Sequence, residues 1–272
     1  MKCKIAVVQM QVDLISMENT LQKAERFIRN AARAKANIVV FPEGSFFARG
    51  EKKTAEASHH IYLTFLQGLA KKFKIDIVTG SVIEKRRTGT YNTAYYIDAR
   101  GKVLGKHRKI NLWHPERGHF ARGSDISVFQ TKYGKVGLII CWDMMFPEVF
   151  RCMTRRGVQI IFCPTFWFHE CAGIGVQYDW NADVTLVDAV SISRAFEHEI
   201  VFVMCNAAGK WTYGKSKGTL FGHSQITVPF RGCMKKLNHN REEMFVQEID
   251  TSILNDAEKV YRIRKDLKQR IL

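Results

Sequence analysis

The chain opens with a pattern of apolar and polar positions that is typical of a β-α-β unit. The stretch "CKIAVVQMQ" (residues 3–11) is a short apolar run that predicts a first strand. In "ENTLQKAERFIRNAARAKA" (18–36) apolar residues recur at helical spacing among strong helix formers, which predicts a helix. "NIVVFPEG" (37–44) predicts a second strand that ends at Pro42. Strands joined through a helix usually pair in parallel, so the pattern favours a parallel sheet.

The middle of the chain predicts a further helix, a strand and two hairpins. These are a helix over residues 54–74, a strand over 75–84, and hairpins over 91–110 and 126–141. The first hairpin turns at residues 98–101 and the second near Tyr133 and Gly134, where turn-forming residues interrupt strand-like runs.

The pattern changes abruptly at Cys141. Pro147 suits the first position of a helix, and Gly157 is a plausible stop before the strand-like run 158–165. A helix around 181–198, a strand over 200–209 and a tail with two strand-like runs and a last helical stretch complete the chain. Apolar runs such as "VGLII" predict strands buried on both faces, within α/β sheets covered by helices. Since no repeat or linker interrupts the chain, we predict one domain over residues 1–272.

Composition narrows the class of protein. The 272 residues are 46% apolar, which suffices for a sizeable core, and no apolar run has the roughly 18 residues that a membrane helix needs. The apolar stretch at the N-terminus is too short for a signal peptide and is better explained as the first strand. We therefore expect a cytoplasmic protein without a membrane partner.

Cysteine and charge patterns argue against several kinds of site. The seven cysteines, an odd number, include no C-x-x-C pair, and HExxH, P-loop and GxGxxG patterns are absent. We therefore predict neither a metal site nor a cofactor. The net charge of +16 comes from basic pairs scattered along the chain, which favours a solvated basic surface over a nucleic-acid interface.

Three polar residues stand where predicted strands end: Glu43, Lys109 and Cys141. Taken singly, Glu43 could face solvent, Lys109 could be a surface cation and Cys141 could be a core residue. Taken together they match a reaction, because a thiol needs a base, and a tetrahedral intermediate needs a cation or N–H donors at its oxyanion. Carboxyl ends of strands line the ligand crevice of open α/β sheets, so we expect the three to meet there.

The segments around these residues resemble a known family. "VVFPEG", "HRKINL" and "GLIICWDMMFPEVFR" resemble, in that order, the glutamate, lysine and cysteine signatures of the nitrilase superfamily of carbon–nitrogen hydrolases. The resemblance implies a four-layer α-β-β-α sandwich of two mixed sheets, with Glu43, Lys109 and Cys141 as the catalytic triad. It also implies a homodimer or larger assembly.

The resemblance implies a second glutamate and leaves the substrate open. "PERGHFARG" fits the expected pattern, with Glu116 as a residue that orients Lys109 or the substrate. Many relatives carry a Trp at the position that is Val187 here, and residues 162–180 are unusually aromatic. Phe166 and Trp167 follow a strand, and we expect at least one ring there, Trp167 first, to line the substrate pocket.

The leading hypothesis is hydrolysis of a linear amide or N-carbamoyl compound through a thioester on Cys141. Lys109 and the Trp142 N–H would stabilise the oxyanion. Two alternatives use the same triad, acyl transfer to an amine and hydrolysis of a nitrile. A third, from another class, is a non-catalytic or nucleic-acid-binding protein. His114 and His169 are more readily explained as structural residues than as substrate contacts.

Overall fold

The computed structural model describes residues 1–47 and 55–269, which form fifteen strands and six α-helices. The strands are β1 (Lys2–Gln9), β2 (Ile38–Val40), β3 (Asp76–Val78), β4 (Val82–Arg86), β5 (Gly89–Ile97), β6 (Val103–Arg108), β7 (Ser127–Thr131), β8 (Gly134–Leu138), β9 (Ile160–Thr165), β10 (Val201–Asn206), β11 (Lys210–Tyr213), β12 (Ser216–Thr219), β13 (Gln225–Val228), β14 (Gly232–Lys236) and β15 (Glu243–Asp250). The helices are α1 (Met17–Arg33), α2 (Ala55–Phe73), α3 (Pro147–Arg155), α4 (Ala182–Glu197), α5 (Ser252–Tyr261) and α6 (Ile263–Gln269). Residue 54 of the second predicted helix lies outside the described residues.

The first sheet contains seven strands and confirms the predicted parallel β-α-β start. β1 pairs in parallel with β2, and β2 with β3, while β15 runs antiparallel along the other edge of β1. β3 and β4 both pair antiparallel with one edge of β5, and β6 pairs with its other edge. The predicted hairpin over 91–110 is therefore confirmed as β5 and β6.

The prediction of one continuous strand over 75–84 was wrong, because the chain breaks between β3 and β4. Gly80 in the break has φ +74°, and a Cβ there would lie 2.2 Å from the Pro42 carbonyl oxygen. The break thus makes room for the turn that follows β2 and carries Glu43. A glycine is needed because both the conformation and the close approach exclude a side chain.

The second sheet has the order β14-β13-β10-β9-β8-β7. β8, β9 and β10 are parallel, whereas β7 and β13 flank them in antiparallel orientation. Helix α3 joins β8 to β9 and begins at Pro147, as the sequence predicts.

The two sheets pack face to face between two helical layers. Ile5 and Val7 of β1 belong to the core between the sheets, whereas Ala6 and Val8 belong to the core under α1 and α2. Successive residues of β1 thus point to opposite faces of the sheet, and both faces are buried, as expected for a sheet covered on both sides. Helices α3 and α4 cover the outer face of the second sheet in the same way. The predicted four-layer α-β-β-α sandwich is confirmed.

Candidate active site

Three segments that follow strands deliver the predicted triad to one place. Glu43 lies just past β2, Lys109 directly follows β6 and Cys141 begins a short 3-10 turn after β8. Their exposed fractions are 5%, 2% and 8%, so all three are buried in contact with a cavity. The three residues that follow strand ends therefore meet at one cavity, as the sequence predicts.

Lys109 lies between two carboxylates. Its Nζ is 2.9 Å from Oε1 of Glu43 and 2.7 Å from Oε2 of Glu116. Asn92 Nδ2 donates to the same Oε1 of Glu43 (2.8 Å) and also contacts Glu116 Oε1 at 3.4 Å. The lysine is therefore held at a fixed position, with its charge matched by acceptors on both sides.

Glu43 also touches the nucleophile segment. The Cys141 thiol lines the same cavity as the Glu43 carboxylate, and burial together with the Glu43 charge raises the pKa of the thiol. The backbone N–H of Phe166 donates to Glu43 Oε2 at 3.1 Å. One carboxylate thus binds the ammonium group and lies in the same cavity as the thiol.

Cys141 has a backbone conformation that few residues with side chains adopt. Its φ is +47°, in the left-handed region that carries a cost for a residue with a Cβ. The Asp143 N–H donates to the Ile140 carbonyl, and Asp143 Oδ2 accepts from the Ile140 N–H at 3.1 Å. The Asp143 side chain therefore bridges the turn across Cys141 and holds the strained conformation that presents the thiol.

Burial and the neighbouring charges determine which groups of the site carry a proton at rest. Burial, together with the negative charge of Glu43, raises the pKa of the Cys141 thiol well above its usual range, so the resting thiol is neutral. Burial also raises the pKa of Glu43, although the charge of Lys109 opposes the rise. Burial alone would neutralise Lys109, but the negative charges of Glu43 and Glu116 outweigh it and raise the Lys109 pKa well above its usual range. The site therefore holds a permanent cation beside a carboxylate of increased basicity.

Glu116 is placed by its own loop. Its Oε2 accepts from the Trp113 N–H at 2.8 Å in a 3-10 turn that starts at His114. Downstream, the Gly123 N–H donates to the Lys109 carbonyl, and a Cβ at Gly123 would lie 2.2 Å from the Arg108 carbonyl oxygen. The loop thus contacts Lys109 at two points, because Glu116 binds its ammonium group and Gly123 binds its backbone carbonyl.

The triad opens into a cavity of about 230 Å³. Apart from the triad and Glu116, the residues around it are mainly aromatic. The lining residues are Leu14, Glu43, Gly44, Phe47, Lys109, Trp113, Glu116, Phe120, Cys141, Trp142, Phe166, Trp167, Phe168, Cys171 and Trp211.

The predicted pocket residues differ in how they meet the cavity. Phe166 is half-buried, whereas Trp167 is only 2% exposed. Trp167 Nε1 donates to Asp183 Oδ2 at 2.7 Å, and its indole packs on Trp142. Trp167 therefore touches the cavity but is anchored in the core, so Phe166 offers the freer ring.

The two histidines and Val187 lie away from the cavity lining. His114 is exposed and contacts Trp113, while His169 stacks on Trp180 and hydrogen-bonds to its carbonyl. Val187 of α4 is fully buried in the core under the second sheet. The structure thus gives both histidines packing contacts with a tryptophan.

Several residues of the site were missed in the sequence. Asn92, which binds both glutamates, is a polar residue inside the aromatic strand β5, and that contrast was the available signal. Asp143 and its partner His107 had no such signal. Trp211 belongs to the hairpin β11–β12, which strand patterns did not indicate.

Two further features bear on the class of site. Within residues 1–47 and 55–269, no three His, Cys, Asp or Glu side chains gather as a metal site would require. In the same ranges, none of the helices is both long and apolar enough to cross a bilayer.

Comparison with known proteins agrees with this geometry. The chain is 31% identical to a probable nitrilase of Schizosaccharomyces pombe, over 94% of this chain and 91% of the relative. It is 30% identical to an N-carbamoylputrescine amidase of Oryza sativa subsp. japonica, over 97% and 91% of the two chains. The crystal structure of Saccharomyces cerevisiae Nit3, a member of branch 10 of the nitrilase superfamily, superposes with a TM-score of 0.78 at 25% identity, covering 96% of this chain and 94% of the other. The sequence model of the carbon–nitrogen hydrolases matches residues 4–258, and the chain belongs to that family.

Proposed function

We propose that this carbon–nitrogen hydrolase cleaves a linear amide or N-carbamoyl compound through a thioester on Cys141. The observation that carries the proposal is the position of one buried carboxylate: Glu43 accepts from Lys109 Nζ at 2.9 Å and lines the same cavity as Cys141. This arrangement supports a nucleophile, a base and an oxyanion cation acting on one carbonyl.

The first half of the reaction forms the thioester. Glu43 takes the thiol proton as the Cys141 sulfur attacks the carbonyl carbon, and the oxyanion accepts from Lys109 Nζ and the Trp142 N–H. Glu43 then gives the proton to the nitrogen, the C–N bond breaks and ammonia or an amine leaves. Removing a single oxyanion donor costs about 10²–10³ in rate in well-studied enzymes, so the lysine contributes a comparable factor here.

The second half releases the acid. Glu43 takes a proton from water, the hydroxide attacks the thioester carbonyl, and the sulfur leaves as a thiolate that recovers the proton. The raised pKa of Glu43 suits the first transfer of each step, because a more basic carboxylate accepts a proton more readily. Glu116 acts as a positioning residue that holds Lys109 at the oxyanion.

The amide or N-carbamoyl substrate is the finer part of the proposal. The similarity to an N-carbamoylputrescine amidase supports it for the reacting group. Acyl transfer and nitrile hydrolysis would use the same residues, and the products distinguish them.

A product screen tests the proposal. We expect ammonia release from amides or N-carbamoyl amines, with none from nitriles, and no release by Cys141→Ala. Intact-mass measurement with a slow substrate should show an acyl adduct on the wild type only. Turnover by Cys141→Ala would refute the mechanism, and an N-substituted amide formed with added amine would assign acyl transfer.

The same proposal includes the setting of the enzyme. We place residues 1–272 in one hydrolase domain, supported by a family match over 4–258. Seven free thiols support the cytoplasm as its location. The exposed apolar side chains of Ile174, Tyr178 and Trp180 support a homodimer or larger assembly, which light scattering would measure.

A further inference from the structure

We infer that the group attached to the reacting carbonyl is uncharged, apolar and about the size of one ring or a short alkyl chain. This inference rests on the proposed function, because it names the substrate class of the same site.

A continuous aromatic wall carries the inference. Phe168 lies at its centre, with ring centroids 5.1 Å from Trp211, 5.8 Å from Trp113 and 6.4 Å from Phe166. Phe166 also contacts Trp211 at 5.6 Å. Edge-to-face packing at these distances is favourable, so the four rings form a stable apolar surface beside the triad.

The wall depends on a glycine opposite the tryptophan. Trp211 of β11 pairs across the hairpin with Gly218 of β12. A Cβ at Gly218 would lie 2.6 Å from Trp211 Nε1 and 2.8 Å from Phe168 Cδ2. The absence of a side chain at this position lets both rings lie against the hairpin.

The charges of the cavity are already matched to each other. Among the lining residues that the structure describes, the acidic and basic side chains are Glu43, Lys109 and Glu116. Both carboxylates contact Lys109 at the reacting end of the site. A substrate carboxylate or ammonium group placed against the aromatic wall would lose its hydration without gaining a further charged partner among these described residues.

The size of the cavity limits the size of the group. An apolar cavity of about 150 Å³ holds benzene, so about 230 Å³ has room for one ring or a short chain together with the amide. Aromatic rings can also bind a cation, and the experiment includes that outcome as a contradiction.

Three amides of matched length test the inference: hexanamide, 6-aminohexanamide and the monoamide of adipic acid. We expect kcat/KM for hexanamide to exceed that of each charged amide by at least about tenfold, the scale of hydrophobic-pocket discrimination. A preference for the cationic amide would mean that the rings bind a cation, and a preference for the anionic amide would mean that the site supplies a cation to the acyl chain. Either preference overturns the inference.

Variants locate the effect in the wall. Trp211→Ala should lower kcat/KM for hexanamide at least about fivefold while changing acetamide, which lacks the chain, less than about twofold. Gly218→Ala, which pushes the two rings into the cavity, should favour acetamide over hexanamide. Phe230→Ala removes an exposed aromatic ring outside the cavity lining and should change neither. If Trp211→Ala lowers kcat/KM equally for both amides and leaves thermal stability unchanged, the wall does not bind the acyl chain.

Binding measurements test this inference independently of the proposed function. If the wild type hydrolyses none of these amides and no N-carbamoyl amine of the product screen, the proposed function fails, and calorimetry on Cys141→Ala still measures the pocket. Hexanamide should bind at least about tenfold more tightly than either charged amide. Equal or tighter binding of a charged amide overturns the substrate class even if hydrolysis is observed.

Discussion

His107 Nε2 lies 2.8 Å from Oδ2 of Asp143, and both side chains are fully buried. The same carboxylate accepts from the Ile140 N–H before Cys141 and from the Asn111 N–H two residues after Lys109. One side chain therefore joins the turn that carries Cys141 to the segment that follows Lys109. The Asp143 carboxylate therefore fixes how far the Cys141 turn lies from the Lys109 segment.

Asp143→Ala should destabilise the protein strongly and reduce turnover. It leaves the buried Ile140 N–H, the partly buried Asn111 N–H and the buried His107 without their acceptor. Loss of one partner of a buried pair costs about 3–5 kcal/mol. Urea unfolding measures the change in the free energy of unfolding. Asp125→Ala, at an exposed position, is the matched control and should change it by less than about 0.5 kcal/mol. Equal stability of the two variants would show that the carboxylate does not hold the turn.

Glu43→Gln should lower kcat at least about a hundredfold, because the amide keeps the shape but cannot accept the thiol proton. Acyl-adduct formation, followed by rapid-quench mass measurement, should slow by a similar factor. Glu148→Gln, an exposed glutamate in the first turn of α3, should retain the wild-type rate. A near-normal rate in Glu43→Gln would mean that another group, such as a histidine, activates Cys141.

Lys109→Met should cost at least about a hundredfold in kcat and shift the pH profile. The positive charge of Lys109 lowers the pKa of Glu43, so its removal raises that pKa further. Since the base must be deprotonated, the acidic limb of the kcat profile should move to higher pH. Lys102→Met, at an exposed turn, should leave the profile in place. A loss of rate with an unmoved acidic limb would contradict the assigned coupling.

Glu199→Gln should make the stability less dependent on pH. Burial and a hydrogen bond shared with Glu258 raise the pKa of Glu199 from 4.5 to about 7. The folded state holds this proton where the unfolded chain has released it, so the carboxyl contributes stability below the unfolded pKa that is lost as the pH rises through about 7. The free energy of unfolding, measured with urea at about pH 5 and about pH 8, should fall less for the variant than for the wild type at the higher pH. The exposed Glu248→Gln should show no such gain, and a parallel response of both variants would refute the shift.

Trp167→Ala should lower stability as well as alter substrate preference. The sequence alone predicts that Trp167 lines the substrate pocket, and loss of a pocket wall would leave the thermal midpoint nearly unchanged. In the structure Trp167 is buried and hydrogen-bonded to Asp183, so truncation should cost about 3–5 kcal/mol. Thermal unfolding beside kcat/KM for a set of amides separates the two effects. Phe166→Ala, at a half-buried ring, should change the ranking of amides with a smaller loss of stability, and the reverse order would contradict this geometry.

The sequence by itself determined most of the strands and helices and indicated the three candidate residues of the site. Apolar runs that alternate to two buried faces, as in β1, specify a strand covered on both sides, and Pro147 and Gly157 bound α3 through backbone rules that act within a few residues. Glu43, Lys109 and Cys141 could be found because each follows a strand whose end is predictable from local pattern.

Only the tertiary structure decided how these groups are held and what surrounds them. Asn92 meets Glu43 across 49 residues, and His107 meets Asp143 across 36, so no local pattern announces either contact. The break at Gly80 arises because the Pro42 turn needs its space, and the aromatic wall arises because Gly218 leaves room for two rings from distant segments. Such contacts depend on which side chains the packed sheets bring together, and periodicity along the chain carries information only about the faces of single elements.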